Sequence, residues 1–390
     1  MPELLRELTV ARGLTWAAQA ALLYAFATVC FDCLHWALHA AHRASAGWLR
    51  ALGALHHTHH RFLTTDLRFD DSLSTANLVQ HRSVELAVHV LASALGFLVL
   101  DWAPVVLALA AFLAGFLVVT ARRGRDAHHR ALPVVPAPRS ALFVGVGYHA
   151  LHHVHPDRYF GSVVTLFDRL FGTGCQVAGR TVALTGASVA FGAPLKAILE
   201  REGATVLPLK YGVDYRYGDY TGADEALGRA DILVLAHGSK VKDAMAANCD
   251  SFLALIDRFR ELKRSSRFPP EVWAVGSEIE CHPSWGNAEL QIYLESKRAY
   301  ARHARRFFHQ TDFLYRHIVP SAFTSPMGKG LISGATAARW AWLFICRGFR
   351  YVPVSYSGIA LLNYFKFVFR VHAAPPDQKF HRSPLQEITG

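Results

Sequence analysis

The chain has 390 residues, 52% of them hydrophobic, a formal net charge of +11 at pH 7 and six cysteines. That length has room for two domains. Nucleic-acid binding is one reading of that charge, disfavoured because no basic-aromatic module accompanies it, and the cysteines form no disulfide framework of a secreted scaffold.

Composition changes along the chain. Fifteen of the 22 histidines precede residue 176, and so do three apolar runs, 14–31, 83–100 and 103–121, each about long enough to span a bilayer. Lys and Arg flank these runs, which gives the charge a membrane explanation. Cys30 and Cys33 make a CxxC inside the first run and read as packing residues. That run has no small-residue cleavage site and leads directly into histidines, so it reads as a retained helix. The second and third runs are joined only by Asp101 and Trp102, a tight membrane hairpin. The histidines at 35–60 and 128–155 therefore lie on one membrane face. Arg43, Arg50, Arg61, Arg68, Arg82, Arg122, Arg123 and Arg125 mark that face, while the hairpin tip carries only Asp101, so the positive-inside rule makes it cytoplasmic.

Three clusters stand out. "HWALHAAH" places His35, His39 and His42 on one stripe of a helix. "HHTHH" contains HxxHH as His56, His59 and His60, and "HALHH" repeats it as His149, His152 and His153. Upstream of the last, "DAHHR" holds His128 and His129. Neutral imidazole is the commonest metal-binding side chain. Eight or more converging nitrogens exceed the four that one zinc takes, and no Glu follows the first His to act as a zinc-protease base. Two iron ions would use this number, with open positions for O₂. His81 and His89 read as hydrogen-bonded structural residues.

These boxes, followed by "RYFGSVVTLFDRLFGT" at 158–173, resemble the fatty acid hydroxylase/sterol desaturase superfamily of membrane di-iron enzymes. The resemblance implies an α-helical membrane bundle over residues 1–175. It implies iron ligands at His35, His39, His56, His59, His60, His129, His149, His152 and His153.

Residues 176–390 read as a soluble α/β domain. An apolar strand at 181–184 leads into "TGASVAFG", a helical stretch to Glu202, and a second strand at 204–209. This is the first unit of a doubly wound dinucleotide-binding fold. Gly186 allows the turn, Ser188 lies within it, and Gly192 allows close approach at a helix N-terminus suited to pyrophosphate. Lys210, not an acid, follows the second strand, which favours NADP over NAD, although Asp214 is near. "ADILVLAHG" (230–238) and "EVWAVGSEIE" (271–280) read as further parallel strands. In "YLESK", Tyr293 and Lys297 are four apart on a helix, and a neighbouring ammonium is expected to draw the phenol pKa down from 10 so that it can exchange a proton with a substrate oxygen.

This half resembles the short-chain dehydrogenase/reductase family. The resemblance implies Ser277 on the substrate oxygen, Asn248 supporting Lys297 through water, and Thr324 of "PSAFT" beside the nicotinamide. Ser321, Ala190 and His237 depart from the family pattern. The fusion resembles bacterial proteins described as bifunctional sterol desaturase/short-chain dehydrogenase. The tail at 351–370 reads as a last strand and an amphipathic helix, against either the membrane or the core.

The expected function is O₂-dependent hydroxylation or desaturation of a membrane lipid at two iron ions, followed by NADP- or NAD-linked alcohol/carbonyl interconversion. A ferredoxin, cytochrome or flavoprotein must supply single electrons, because a hydride-transferring module does not. The expected placement is multi-pass, with the histidines and the C-terminal domain cytoplasmic. Rival readings are a membrane-anchored dehydrogenase with vestigial histidines, a lipid-aldehyde enzyme, and a non-catalytic scaffold.

Overall fold

The computed structural model describes residues 2–369 apart from 139, 242, 263–267 and 285–287. It divides into two compact units, Met1–Gln176 and Val177–Gly390.

The first unit is helical. Helix α1 (Pro2–His42) is followed by α2 (Gly47–Phe62), a single turn α3 (Ser74–Asn77), α4 (Ser83–Ala94), α5 (Trp102–Ala121), α6 (Val146–Val154) and α7 (Leu166–Phe171). Pro2 opens α1, where a missing N–H costs nothing, and the rest of α1 is rich in Ala and Leu. Helices α1, α4 and α5 pack together through Leu23, Val105 and Ala108 and through Ala27, Ala92 and Phe112. Tyr24 stacks on Phe112 with ring centroids 4.1 Å apart. Gly53 lets α2 approach the end of α1, since a Cβ there would lie 2.4 Å from the His42 nitrogen.

Two helices are long and apolar enough to cross a membrane, residues Thr9–His42 and Trp102–Ala121. The apolar run at 83–100 is not a third. Its α-helical part has 12 residues, entered through a π-helical turn (Leu78–Arg82) and left through a 3₁₀ turn (Leu95–Leu98). Hydropathy registers the run's length but not these changes of winding.

The second unit is built on β1 (Thr181–Thr185), α8 (Gly192–Arg201), β2 (Thr205–Leu209), α9 (Asp224–Arg229), β3 (Ile232–Leu235), α10 (Ser251–Glu261), β4 (Glu271–Val275), α11 (Ala288–His309), β5 (Leu314–Pro320), a small pair β6 (Phe323–Thr324) and β7 (Ile332–Ser333), α12 (Gly334–Cys346), β8 (Tyr351–Val354) and α13 (Ile359–Phe369). The main sheet runs β2-β1-β3-β4-β5-β8 with every pair parallel. This is a Rossmann-like order without the outer strand beyond β2. Residues 210–223 are too short for a strand and its crossover, and they turn back through Gly212 and Gly218, both at positive φ.

The central strands β3, β4 and β5 are wholly buried, as a parallel sheet covered on both faces requires. Phe252, Leu255, Ile256 and Phe259 of α10 and Tyr300, Ala304 and Phe307 of α11 join their core. A buried ion triad pins the start of β4. Glu271 accepts from Arg180 at 2.8 Å and from Arg316 at 2.6 Å. Helix α13 packs Ala360 and Phe367 into this core, as the core reading of the tail expects, and exposes Leu362 and Phe369.

Candidate functional site

The histidine segments converge in the first unit. His35, His39, His56, His60 and His152 form one group; His59, His129, His149 and His153 form another, the ligating atoms of each lying within 4.8 Å of one another. All nine are buried. Helical spacing explains the sorting. His56 and His60 are one turn apart on α2 and join the first group, while His59 points to the second. On α6, His149 and His153 serve the second group and His152 the first.

Backbone and side-chain acceptors hold the outer nitrogens. His35 Nδ1–H donates to the Phe160 carbonyl at 3.3 Å, His152 Nδ1–H to the Arg158 carbonyl at 2.8 Å, and His153 Nδ1–H to the Leu63 carbonyl at 2.8 Å. His59 Nδ1–H donates to Asn77 Oδ1 at 3.1 Å and His129 Nδ1–H to Asp126 at 2.7 Å. A neutral ring with its proton on Nδ1 has a bare lone pair on Nε2. Two such lone pairs face each other 2.9 Å apart at His35 and His152, with no proton to bridge them, an arrangement that accommodates a cation. His59 and His129 bring their Nε2 atoms to 2.9 Å, and His129 pairs its Nδ1 with the Asp126 carboxylate.

The spacings agree. Nε2–Nε2 separations run from 2.8 to 3.2 Å, for instance 3.0 Å between His39 and His56 and 2.8 Å between His129 and His149. Ligands about 2.1 Å from one ion lie about 3.0 Å apart at right angles and about 3.4 Å apart in a tetrahedron. The nitrogens therefore suit ions of octahedral preference better than tetrahedral zinc. Burial, and then the neighbouring imidazoles, hold His56, His59, His60 and His149 well below the usual histidine range, and His152 is lowered to about 4. The rings are neutral at physiological pH, as ligation requires.

The loop that supplies the Arg158 and Phe160 carbonyls is itself held by Asp168 of "DRLFGT". The buried Asp168 carboxylate accepts from Phe160 N–H and Gly161 N–H, each at 2.8 Å, from the Tyr148 hydroxyl at 2.7 Å and from Thr173. His42 and His57 stack on each other outside both groups.

In the second unit the tight turn after β1 closes on itself. Gly186 sits at φ +68°, and a Cβ on Gly192 would lie 2.0 Å from the Gly186 carbonyl oxygen. Helix α8 starts there with no side-chain cap and no acid in its first turn, so its positive end is free for a phosphate. Ser188 is exposed in the turn, and Lys210 is exposed after β2. The Asp214 carboxylate accepts from Lys210 N–H at 2.6 Å.

At the carboxyl edge of the sheet, Tyr293 of α11 hydrogen-bonds Ser277, which follows β4. Lys297, one turn on, is buried and donates from Nζ to the Val275 carbonyl at 2.9 Å. Its ammonium lies 5.8 Å from the Tyr293 ring centroid. The expectation of a lowered tyrosine pKa is corrected here. Burial pushes Tyr293 up to about 12, partly offset by Ser277, because Lys297 directs its charge at a backbone oxygen. Burial likewise lowers Lys297 to about 8.

No family model matches the chain. A curated relative does. The chain is 26% identical over 359 aligned residues to the monoglucosyldiacylglycerol epimerase of Synechocystis, covering 80% of this chain and 86% of the relative. Among solved structures it is similar to a 3-alpha-hydroxysteroid dehydrogenase from Pseudomonas sp. complexed with NADH, at 23% identity, 47% of this chain, 100% of that one and a TM-score of 0.37. It is also similar to a short-chain dehydrogenase from Sphingobium yanoikuyae in complex with NADPH, at 14% identity, 48% of this chain, 92% of that one and a TM-score of 0.39.

Asn248 lies in a π-helical turn, Ala246–Asp250, and its amide donates to the Ser239 carbonyl at 2.6 Å and to Ser296 Oγ at 2.9 Å. It holds the loop after β3 against α11. Thr324 donates to the Gly330 carbonyl at 3.0 Å within its own loop. His237 bridges Thr185 and Ser251, and burial lowers it to about 3, so it is a neutral structural residue.

Other groups carried no motif. Lys240 reaches across the site, 5.5 Å from the Tyr293 centroid, to the Met327 carbonyl at 2.8 Å. Glu278 accepts from Ser321, Ser355, Ser357 and Ala360 N–H, tying the serine loop to the end of β5 and the start of α13. His81, read as an ordinary structural histidine, stacks on His59 at 4.0 Å.

Proposed function

We propose that the second unit is an NAD(P)-dependent oxidoreductase that interconverts a secondary alcohol and a ketone on a membrane lipid, and that on a sugar headgroup it acts as an epimerase. The observation that carries this is buried Tyr293 paired with half-buried Ser277 beside buried Lys297, at the carboxyl edge of a Rossmann-like sheet. The similarity to a glycolipid epimerase supplies the substrate class. Ser277 Oγ and the Tyr293 hydroxyl hold the reacting oxygen from one side. Tyr293 takes the hydroxyl proton as the carbonyl forms and returns it on reduction. Lys297 keeps a positive charge near the Tyr293 phenolate that accepts this proton. Nicotinamide, when bound, would supply reversible hydride transfer at the carbinol carbon held there; presentation of the opposite carbonyl face before reduction would invert the centre with no net redox change. Lys210 favours the 2′-phosphate of NADP, since Asp214 is engaged by a backbone N–H.

The test is the full-length protein in vesicles containing monoglucosyldiacylglycerol, with NADP or NAD, and headgroup stereochemistry read by NMR. Wild type is expected to convert it, and Tyr293→Phe to lose about 10²–10⁴-fold. No conversion, or an unaffected Y293F, would end the reading.

The bare, facing nitrogens support a second activity in the same chain. His35, His39, His56, His60 and His152 would hold one iron, and His59, His129, His149 and His153 the other. Iron in such a site supplies O₂ activation for hydroxylation or desaturation of a lipid C–H bond. The chain's contribution is a buried, neutral, oriented ligand set close to two helices of membrane-spanning length. Electrons would come singly from an external ferredoxin, cytochrome or flavoprotein. Elemental analysis of purified protein is expected to find two irons, and lipid profiling to find an oxidised product missing from His59→Ala cells. Wild type without bound metal would leave only the alcohol/carbonyl chemistry.

A further inference from the structure

The segment between α3 and α4 faces the back of the histidine centre. Its turn Leu78–Arg82 is π-helical, a winding that re-aims side chains and recurs at functional sites. Here it presents successive residues to α2. Asn77 receives the His59 Nδ1–H, Gln80 accepts from Thr58 at 2.6 Å, and His81 places its Nδ1 3.1 Å from His56 Nδ1. The His81 ring is 4% exposed and stacks on His59 with an interplanar angle of 26°. His56 belongs to the five-histidine group and His59 to the other. His81 therefore touches both.

The tautomer of His56 depends on this contact. Its Nε2 lies 3.0 Å from His39 Nε2 and 3.1 Å from His60 Nε2. To offer a lone pair there, it must carry its proton on Nδ1, and that N–H meets His81 Nδ1. His81 then carries its own proton on Nε2, which faces the Glu85 carboxylate 3.9 Å away. Glu85 pairs with Arg82 at 2.6 Å, and Arg82 with Asp126 at 3.3 Å, the carboxylate that receives the His129 Nδ1–H. Protein groups thus run behind the centre from one group of ligands to the other.

We propose that His81 is a positioning residue that fixes His56 as an Nε2 donor by accepting its Nδ1–H, and that fixes the plane of His59 by stacking. It sets the geometry of both ion sites without ligating either. This rests on the two-ion reading above. Partners of this kind typically change metal affinity 10–100-fold when lost.

The experiment uses full-length protein in detergent, stripped with a chelator and titrated with cobalt(II). The d–d absorption follows affinity, and elemental analysis counts ions. Wild type is expected to take two ions; if it takes none, the two-ion reading fails whatever His81 does. H81F keeps a ring of similar size and loses both nitrogens, and it is expected to bind about 10–100-fold more weakly. H81Q keeps an oxygen that can accept from His56 but loses the stack on His59, and it is expected to bind more tightly than H81F and more weakly than wild type. The proposal is overturned if H81F binds both ions as tightly as wild type, or if H81Q is as weak as H81F. Should H81F fail to fold, H81M is judged by the same two criteria.

Discussion

A proton's place on a ring, or its absence from an ammonium, decides what each site can do. At the tyrosine site the deciding group is Lys297, whose ammonium survives burial only below a pKa of about 8. Raising the pH through about 8 therefore removes the charge that stabilises the Tyr293 phenolate. The expected result is a fall in kcat/KM above that pH, measured as a pH–rate profile. Lys297→Arg should move the fall to higher pH, because a guanidinium stays charged there. Sequence spacing pointed to Tyr293 and Lys297 but misjudged the phenol. Four residues on a helix fix a shared face, not whether an ammonium spends its hydrogen bond on a hydroxyl or on Val275.

Single residues act through the elements that carry them. Helix α8 can begin beside β1 only because Gly192 has no Cβ to meet the Gly186 carbonyl. Gly192→Ala is expected to open that turn and weaken NADPH binding at least tenfold, read by nucleotide fluorescence, while the rest of the sheet stays folded. On the histidine side, the loop ending at α7 depends on Asp168. Asp168→Ala strands four donors, each costing roughly 1–3 kcal/mol if it stays buried and unpaired. It should lower the thermal midpoint and, by freeing the Arg158 and Phe160 carbonyls, reduce metal content at the His35–His152 group. The motif "DRLFGT" was visible in the sequence; its task of orienting two histidines through a loop was not. The run at 83–100 shows the opposite limit. Its hydropathy was legible, but the π and 3₁₀ turns at its ends came from packing.

Across the whole molecule, two compact units each bury charged or polar groups that the fold must satisfy. In the second unit the Arg180–Glu271–Arg316 triad is the clearest case. Burial opposes the Glu271 carboxylate, yet Arg316 and Arg180 hold its pKa below the usual value. A depressed pKa contributes stability that is complete above the unfolded value of about 4.3 and is lost as pH falls through the lower folded value. Resistance of the second unit to proteolysis in urea should therefore decline below about pH 4.3. Glu271→Gln should weaken it at neutral pH by roughly 3–5 kcal/mol, since two guanidiniums would be left buried without their carboxylate. By itself the sequence determined the two-part organisation, the apolar helices, the order of strands and helices around the glycine turn, and the nine histidines that converge. Periodicity and residue type are local properties, and these features follow from them. Only the tertiary structure decided how the nine divide into five and four, which carbonyls and side chains fix their tautomers, that His81 stands behind both groups, and that burial outweighs Lys297 at Tyr293. Those outcomes depend on distances between residues remote in the chain, which no local pattern encodes.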